Sequence, residues 1–116
     1  MKTVLIIEDI KEYQDYYKNS LKNFDLFQAL TLRDAINIYN DNKNTIDIIA
    51  FDTWLQEDNS FDFFKQVRGE FKWIIITTSN TLKWRKLYLE NWADYEIKDK
   101  LDLVEFIVDL NIYWID

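Results

Sequence analysis

The chain has 116 residues, 48% apolar and 30% charged, with a formal net charge of -7 and neither cysteine nor histidine. These totals suit one ordinary globular domain and exclude disulfides, thiolate chemistry, histidine-based zinc sites and any Ser-His-Asp arrangement. The acidic balance argues against direct nucleic acid binding, which leans on Lys and Arg clusters, and against an anionic membrane surface.

The opening MKTVLIIED turns acidic after four apolar residues. That is too short for a signal peptide, and no stretch reaches transmembrane length. Lys2 to Ile7 is the first predicted strand, its VLII run suited to burial on both faces of a parallel sheet. Ile10 to Leu21 reads as a helix with Tyr13, Tyr17 and Leu21 on one face, capped by Asp9 or a neighbour. Asp25 to Ala29 is a short second strand. Thr31 is placed to cap a helix running to about Asn40.

DNKN (41–44) is a polar turn, and Ile46 to Phe51 is the third strand, ending against Asp52. A polar loop from Gln56 to Ser60 leads to a helix over Ser60 to Arg68. Gly69, the sole glycine, is the expected helix stop. Lys72 to Thr77 is the fourth strand, Thr81 to Glu90 a helix, Trp92 to Ile97 the fifth strand and Leu101 to Ile112 the last helix. Five repeats of strand then helix predict an α/β, doubly wound parallel sheet covered by helices on both faces. With no linker or low-complexity stretch, residues 1–116 read as a single domain.

In such sheets, sites lie beyond the carboxyl ends of the strands. Glu8 and Asp9 follow the first strand, Asp52 closes the third, Thr77, Thr78 and Ser79 close the fourth, and Lys98 follows the fifth. Three carboxylates gathered at one rim raise one another's pKa unless a cation sits among them. A hard divalent ion, Mg2+ in a cell, answers that need with oxygen ligands. Lys98 adds a point charge for a phosphoryl oxygen, and Asp52 becomes a nucleophile able to form an aspartyl phosphate.

With these residues in place, the sequence resembles the receiver domains of two-component response regulators over nearly its whole length. VLIIED resembles the opening strand with its acidic pair, IDIIAFD the strand of the phosphoacceptor, IIITTS the strand with the family's hydroxyl, and ADYEIK the segment with its aromatic and lysine. The resemblance implies a (βα)5 flavodoxin-like three-layer sandwich with sheet order 2-1-3-4-5. It implies Glu8, Asp9, Asp52 and the backbone carbonyl of Trp54 as metal ligands, and Asp52, Thr78 and Lys98 as the catalytic set. Thr77 is the alternative hydroxyl if the register is off by one. Thr78 and Tyr95 are the switch pair.

The implied donor is a sensor histidine kinase or a histidine phosphotransfer protein, in the cytoplasm. The implied output is a face of the fourth helix, fifth strand and fifth helix that recruits a downstream protein or a second copy of the chain. The chemistry is that of a phosphoacceptor, with autophosphorylation from small donors and autodephosphorylation, rather than of a conventional enzyme.

Several positions depart from the family pattern. Asp99 stands where a proline commonly follows the lysine. Since a non-proline cis bond costs about 2.5 to 4 kcal/mol, the Lys98–Asp99 bond is expected to be trans. Gln56 and Ser60 replace a usual proline and glycine. Trp54 and Asn80, each two residues past a site residue, are placed to cover the phosphoryl group and to orient water. Surplus apolar residues on the last helix, joined by Trp84 and Tyr88, suggest a homodimer face. The competing function is a degenerate pseudo-receiver, a protein-interaction module of the same fold that ignores phosphate.

Overall fold

The computed structural model describes residues 1–55, 58–79 and 81–113, and of Trp54, Asp58 and Asn59 the backbone alone. The expected alternation is present. In chain order, and numbering only the strands of the large sheet, it runs β1 (Thr3–Ile7), α1 (Lys11–Ser20), β2 (Asp25–Ala29), α2 (Leu32–Asn42), β3 (Ile48–Asp52), α3 (Phe61–Glu70), β4 (Ile74–Thr78), α4 (Leu82–Glu90), β5 (Tyr95–Ile97) and α5 (Leu103–Tyr113). A short 3-10 turn, Lys100–Asp102, precedes α5. The sheet is parallel throughout, in the order 2-1-3-4-5.

The apolar runs explain this order. Every residue of β1 and β3 is buried, as both strands lie inside the sheet. Strand alternation sends successive side chains to opposite faces. Leu5, Ile7, Ile49, Phe51 and Ile75 enter one core with Ala35 and Tyr39 of α2, Phe64 and Val67 of α3 and Tyr88 of α4. Val4, Ile6, Ile48, Ala50, Ile76 and Ile97 enter the other with Tyr17 of α1 and Leu103 and Ile107 of α5. The less apolar β2 and the short β5 fall at the edges.

Thr31 caps α2, its Oγ1 accepting the Asp34 N–H at 3.1 Å. Tyr17 and Leu21 are buried as their spacing predicts. No peptide bond among the described residues is cis, in line with a trans Lys98–Asp99.

At α1 a neighbour of Asp9 holds the N-cap position: it is Ile10, which has no capping side-chain bond and whose N–H is taken by the Glu8 carboxylate at 3.0 Å. Gly69 does not stop α3 either, because the helix passes through it to Glu70. The left-handed stop lies instead at Trp92 after α4, with φ 78. There the Ala93 N–H returns to the Tyr88 carbonyl and the Trp92 N–H to that of Leu89, the two bonds of a Schellman motif. Part of the expected polar loop after Asp52 forms a two-residue hairpin, Trp54–Leu55 against Asp58–Asn59. Gln56, the Trp54 side chain and Asn80, read as loop and cover residues, lie outside the described residues.

Candidate functional site

The carboxyl ends of β1 and β3 bring Glu8, Asp9 and Asp52 together, with a carboxylate oxygen of each within 4.8 Å of the others. Each is fixed by its strand. Asp52 is the last residue of β3 and pairs in register with Thr78. Glu8 follows β1, and its N–H bonds the Ala29 carbonyl at 3.0 Å. Behind this turn sits the buried amide of Gln14 on α1. Its Nε2 lies 3.1 Å from each of the Ile6, Glu8 and Ala29 carbonyls, and Gln28 donates to its Oε1 at 2.7 Å.

A cation meets two of the three acids. The Lys100 ammonium is 2.8 Å from Glu8 Oε1 and 3.1 Å from Asp52 Oδ2. Two tyrosines of α1 position it. The Tyr17 hydroxyl donates to the Lys100 carbonyl at 2.9 Å, and the Tyr13 ring lies 5.2 Å from the ammonium, within cation–π range.

Glu8 and Asp52 are almost wholly buried. Burial and the neighbouring Asp52 charge push the Glu8 carboxyl up to about 7, against the Lys100 ammonium and the Ile10 N–H. For Lys100, burial favours the neutral amine, but the two carboxylates outweigh it and its pKa is raised. The site is thus short of positive charge even with Lys100 inside it. Three carboxylates and no softer donor make a set compatible with Mg2+.

An open cavity of about 840 Å³ stands over these groups, lined by Asp9, Asp52, Ser79, Trp84, Lys98 and Lys100 among others. The cavity therefore holds a second lysine besides the expected Lys98. Lys98 is exposed on the cavity wall, while the ammonium that bridges Glu8 and Asp52 belongs to Lys100, two residues on. The bend after Ile97 separates them. Asp99 caps the 3-10 turn, its Oδ1 accepting the Leu101 N–H at 3.0 Å, and that turn delivers Lys100 to Tyr17.

Three hydroxyl residues stand at the end of β4. Thr78 is buried beside Asp52, and its Oγ1 makes a long 3.5 Å bond to the Phe51 carbonyl. Ser79 is the hydroxyl residue of β4's end that lines the cavity, and its Oγ accepts the Thr81 N–H at 3.1 Å. Thr77 Oγ1 is buried with no hydrogen-bond partner among the described residues.

Tyr95 lies on the α5 side of the sheet, edge-on to Phe106 with centroids 5.0 Å apart and its ring partly exposed. The β5 side chain that meets α4 is Glu96, whose Oε2 is 3.7 Å from Arg85 Nε. Trp54 opens the hairpin two residues past Asp52, which keeps its carbonyl near the rim by chain connectivity.

Sequence reading also missed Ser60. It occupies the N-cap position of α3 without capping it. Its hydroxyl instead donates to the Asp52 carbonyl at 2.8 Å and pairs with the Tyr88 hydroxyl at 2.8 Å. Tyr88 is consequently a core residue, wholly buried against Phe61 and Phe64, and not part of a surface patch. Trp84 lines the site cavity, also away from that patch. The apolar surplus of α5 is real at Val108, Ile112 and Tyr113, which are exposed.

No family sequence model matches the chain, and no curated protein sequence matches it. Solved structures do. A two-component response regulator from Clostridium difficile superposes with a TM-score of 0.83 at 20% identity, over 97% of this chain and 94% of its own. The non-phosphorylated HemR receiver domain from Leptospira biflexa gives 0.79 at 23%, over 100% and 98%. A response regulator receiver domain from Clostridium thermocellum gives 0.76 at 19%, over 94% and 93%. With its sheet order, its buried acidic cluster and its bridging lysine, the chain has the fold of a response-regulator receiver domain.

Proposed function

We propose that residues 1–116 form one receiver unit that accepts a phosphoryl group on Asp52. The observation that carries this reading is the Lys100 bridge between two buried carboxylates at the strand ends, with the third acid beside them. Nothing about packing calls for so much charge at one rim, whereas phosphoryl transfer needs a fixed nucleophile under concentrated positive charge.

In the proposed step an Asp52 carboxylate oxygen attacks phosphorus on a phosphohistidine of a sensor kinase or phosphotransfer protein. A P–O bond forms, the P–N bond breaks, and its electron pair stays on the imidazole. A small acyl phosphate can serve as donor in the same way. Glu8, Asp9, Asp52 and the Trp54 carbonyl would hold Mg2+, which supplies positive charge to the phosphoryl oxygens. The rigid end of β3 holds Asp52 still, and Ser60 fixes its carbonyl.

The Thr78 hydroxyl is the proposed switch donor, since its long bond to Phe51 is easily exchanged for a phosphoryl oxygen. Tyr95 is its proposed aromatic partner, and β5 with α4 and α5 the output surface for a downstream protein or a second copy. Among the described residues no helix is long and apolar enough to cross a membrane. The proposed setting is the cytoplasm.

The test is intact mass after incubation with magnesium and acetyl phosphate, beside Asp52→Asn. A gain of one phosphoryl group, about 80 Da, that the variant loses is the expected result. No gain by folded protein at saturating magnesium leaves the interaction-module reading. Light scattering with and without a phosphoryl mimic checks the dimer: a monomer at every concentration removes it.

A further inference from the structure

The acceptor strand outruns its neighbour. β1 pairs with β3 only as far as Ile7 with Phe51, so the Asp52 carbonyl lies past the last pair between them. It takes the Ser60 hydroxyl at 2.8 Å. Ser60 is itself anchored by its backbone, its N–H on the Thr53 carbonyl at 3.4 Å and its carbonyl taking the Phe64 N–H at 2.8 Å. Its hydroxyl has one proton, which goes to Asp52. The second contact, 2.8 Å to the Tyr88 phenol, is therefore a bond that Tyr88 donates.

Both hydroxyl residues are wholly buried, so neither turns to water. The phenol is fixed by its ring, whose centroid lies 5.2 Å from that of Phe61 and 4.7 Å from that of Phe64. Donation by the phenol polarises the Ser60 hydroxyl and strengthens its own bond to the carbonyl. Toward the middle of α4, by contrast, Arg85 Nε has no hydrogen-bond partner among the described residues, nor do Glu96 Oε2 and the Thr77 hydroxyl. Tyr88 is thus a point at which α4 grips the acceptor strand. A phenylalanine would fill the same space. What the hydroxyl adds is a directional hold on the residue that carries the nucleophile.

We propose that Tyr88 is a positioning residue for the phosphoryl acceptor. Acting through Ser60, it steadies the backbone of Asp52 from α4 and keeps the attacking carboxylate oxygen in line with the donor's phosphorus. This deepens, and rests on, the receiver reading above: acceptance at Asp52 depends on a phenol that lies outside the cavity.

The test follows the rate of phosphoryl gain by intact mass, with acetyl phosphate at saturating magnesium, and measures magnesium affinity separately by calorimetry. Tyr88→Phe, Ser60→Ala, the double variant and Ile46→Val accompany the wild type, with circular dichroism as the check on folding. Ile46 is buried in the same core just ahead of β3, so Ile46→Val lowers stability without touching the hydroxyl chain. Tyr88→Phe should slow acceptance about threefold and Ser60→Ala about tenfold, the scales of one neutral hydrogen bond and of a stranded carbonyl. The double variant should fall within about twofold of Ser60→Ala, because Tyr88 has no route to Asp52 once the serine hydroxyl is gone. None of these changes alters the three carboxylates, so magnesium should bind each protein within about twofold of wild type. Ile46→Val should accept at the wild-type rate.

A Tyr88→Phe protein that accepts at the wild-type rate overturns the positioning role. So does an equal slowing in Ile46→Val, which would make the effect one of stability. Rates that multiply in the double variant overturn the route through Ser60. If Ser60→Ala does not fold, Tyr88→Phe against Ile46→Val decides alone. A wild type that gains no phosphoryl group overturns the receiver reading, and the positioning role with it.

Discussion

Ser60 and Tyr88 offer the sharpest check on how the acceptor strand is held. The Asp52 carbonyl, the Ser60 hydroxyl and the Tyr88 hydroxyl form a chain with both links at 2.8 Å, and Ser60 and Tyr88 are wholly buried. Because Ser60 donates its one proton to the carbonyl, Tyr88 must donate to Ser60. Tyr88→Phe removes the outer link and leaves the inner one intact, so it should cost about 1 kcal/mol. Ser60→Ala strands both the carbonyl and the phenol away from water. At roughly 1–3 kcal/mol for each unsatisfied group, it should cost about 3 kcal/mol.

The double variant is the discriminating case, since it no longer contains a phenol to strand. Adding Tyr88→Phe to Ser60→Ala should cost nothing or recover about 1 kcal/mol. Urea denaturation of the four proteins measures this directly, and equal slopes would verify two-state behaviour. Costs that simply add would refute the argument, because additivity would mean that the two hydroxyls do not depend on each other.

Without magnesium, stability should fall as pH rises. Folded Glu8 keeps its proton to about 7, while the unfolded chain loses it near the ordinary 4.5. The folded state therefore binds more protons between those values, with a ceiling of about 3 kcal/mol lost across the window. Denaturation in EDTA at pH 5 and 7.5 measures it, and Glu8→Gln should flatten the profile; stability rising with pH would contradict the assignment. Trp92→Gly should stabilise the protein by about 1 kcal/mol, because Trp92 sits in the left-handed region with 78% of its surface exposed and loses little packing. Thermal unfolding reads the gain as a rise of a few degrees.

The architecture was legible because its signals are periodic. VLII, IIAF and III are continuous apolar runs, and such runs belong inside a parallel sheet. The three acids were legible because each ends or follows such a run. Less legible were distinctions between near neighbours. KDK offers two ammonium groups, and only the 3-10 turn with Tyr13 and Tyr17 beneath it decides which one turns inward. The two tyrosines on α1 were the available clue, although their spacing reads first as core.

Gly69 looked like a helix stop on residue type alone. α3 runs through it to Glu70 and ends at Phe71 in extended backbone; the left-handed stop belongs to α4, at Trp92, where bonds to Tyr88 and Leu89 impose a conformation that composition does not advertise. Ser60 was read as a loop substitution, and its inward hydroxyl depends on a phenol 28 residues away.

Because the Gln14 amide braces the carbonyls of Ile6, Glu8 and Ala29 from behind, the acidic pair behaves as the fixed jaw of a vise. The α4 wall is the one with slack. Arg85 Nε and Glu96 Oε2 stand 3.7 Å apart, and neither these atoms nor the Thr77 hydroxyl on the neighbouring strand has a hydrogen-bond partner among the described residues. A load placed on Asp52 meets stiffness on one side and spare polar partners on the other. Displacement should therefore run toward α4.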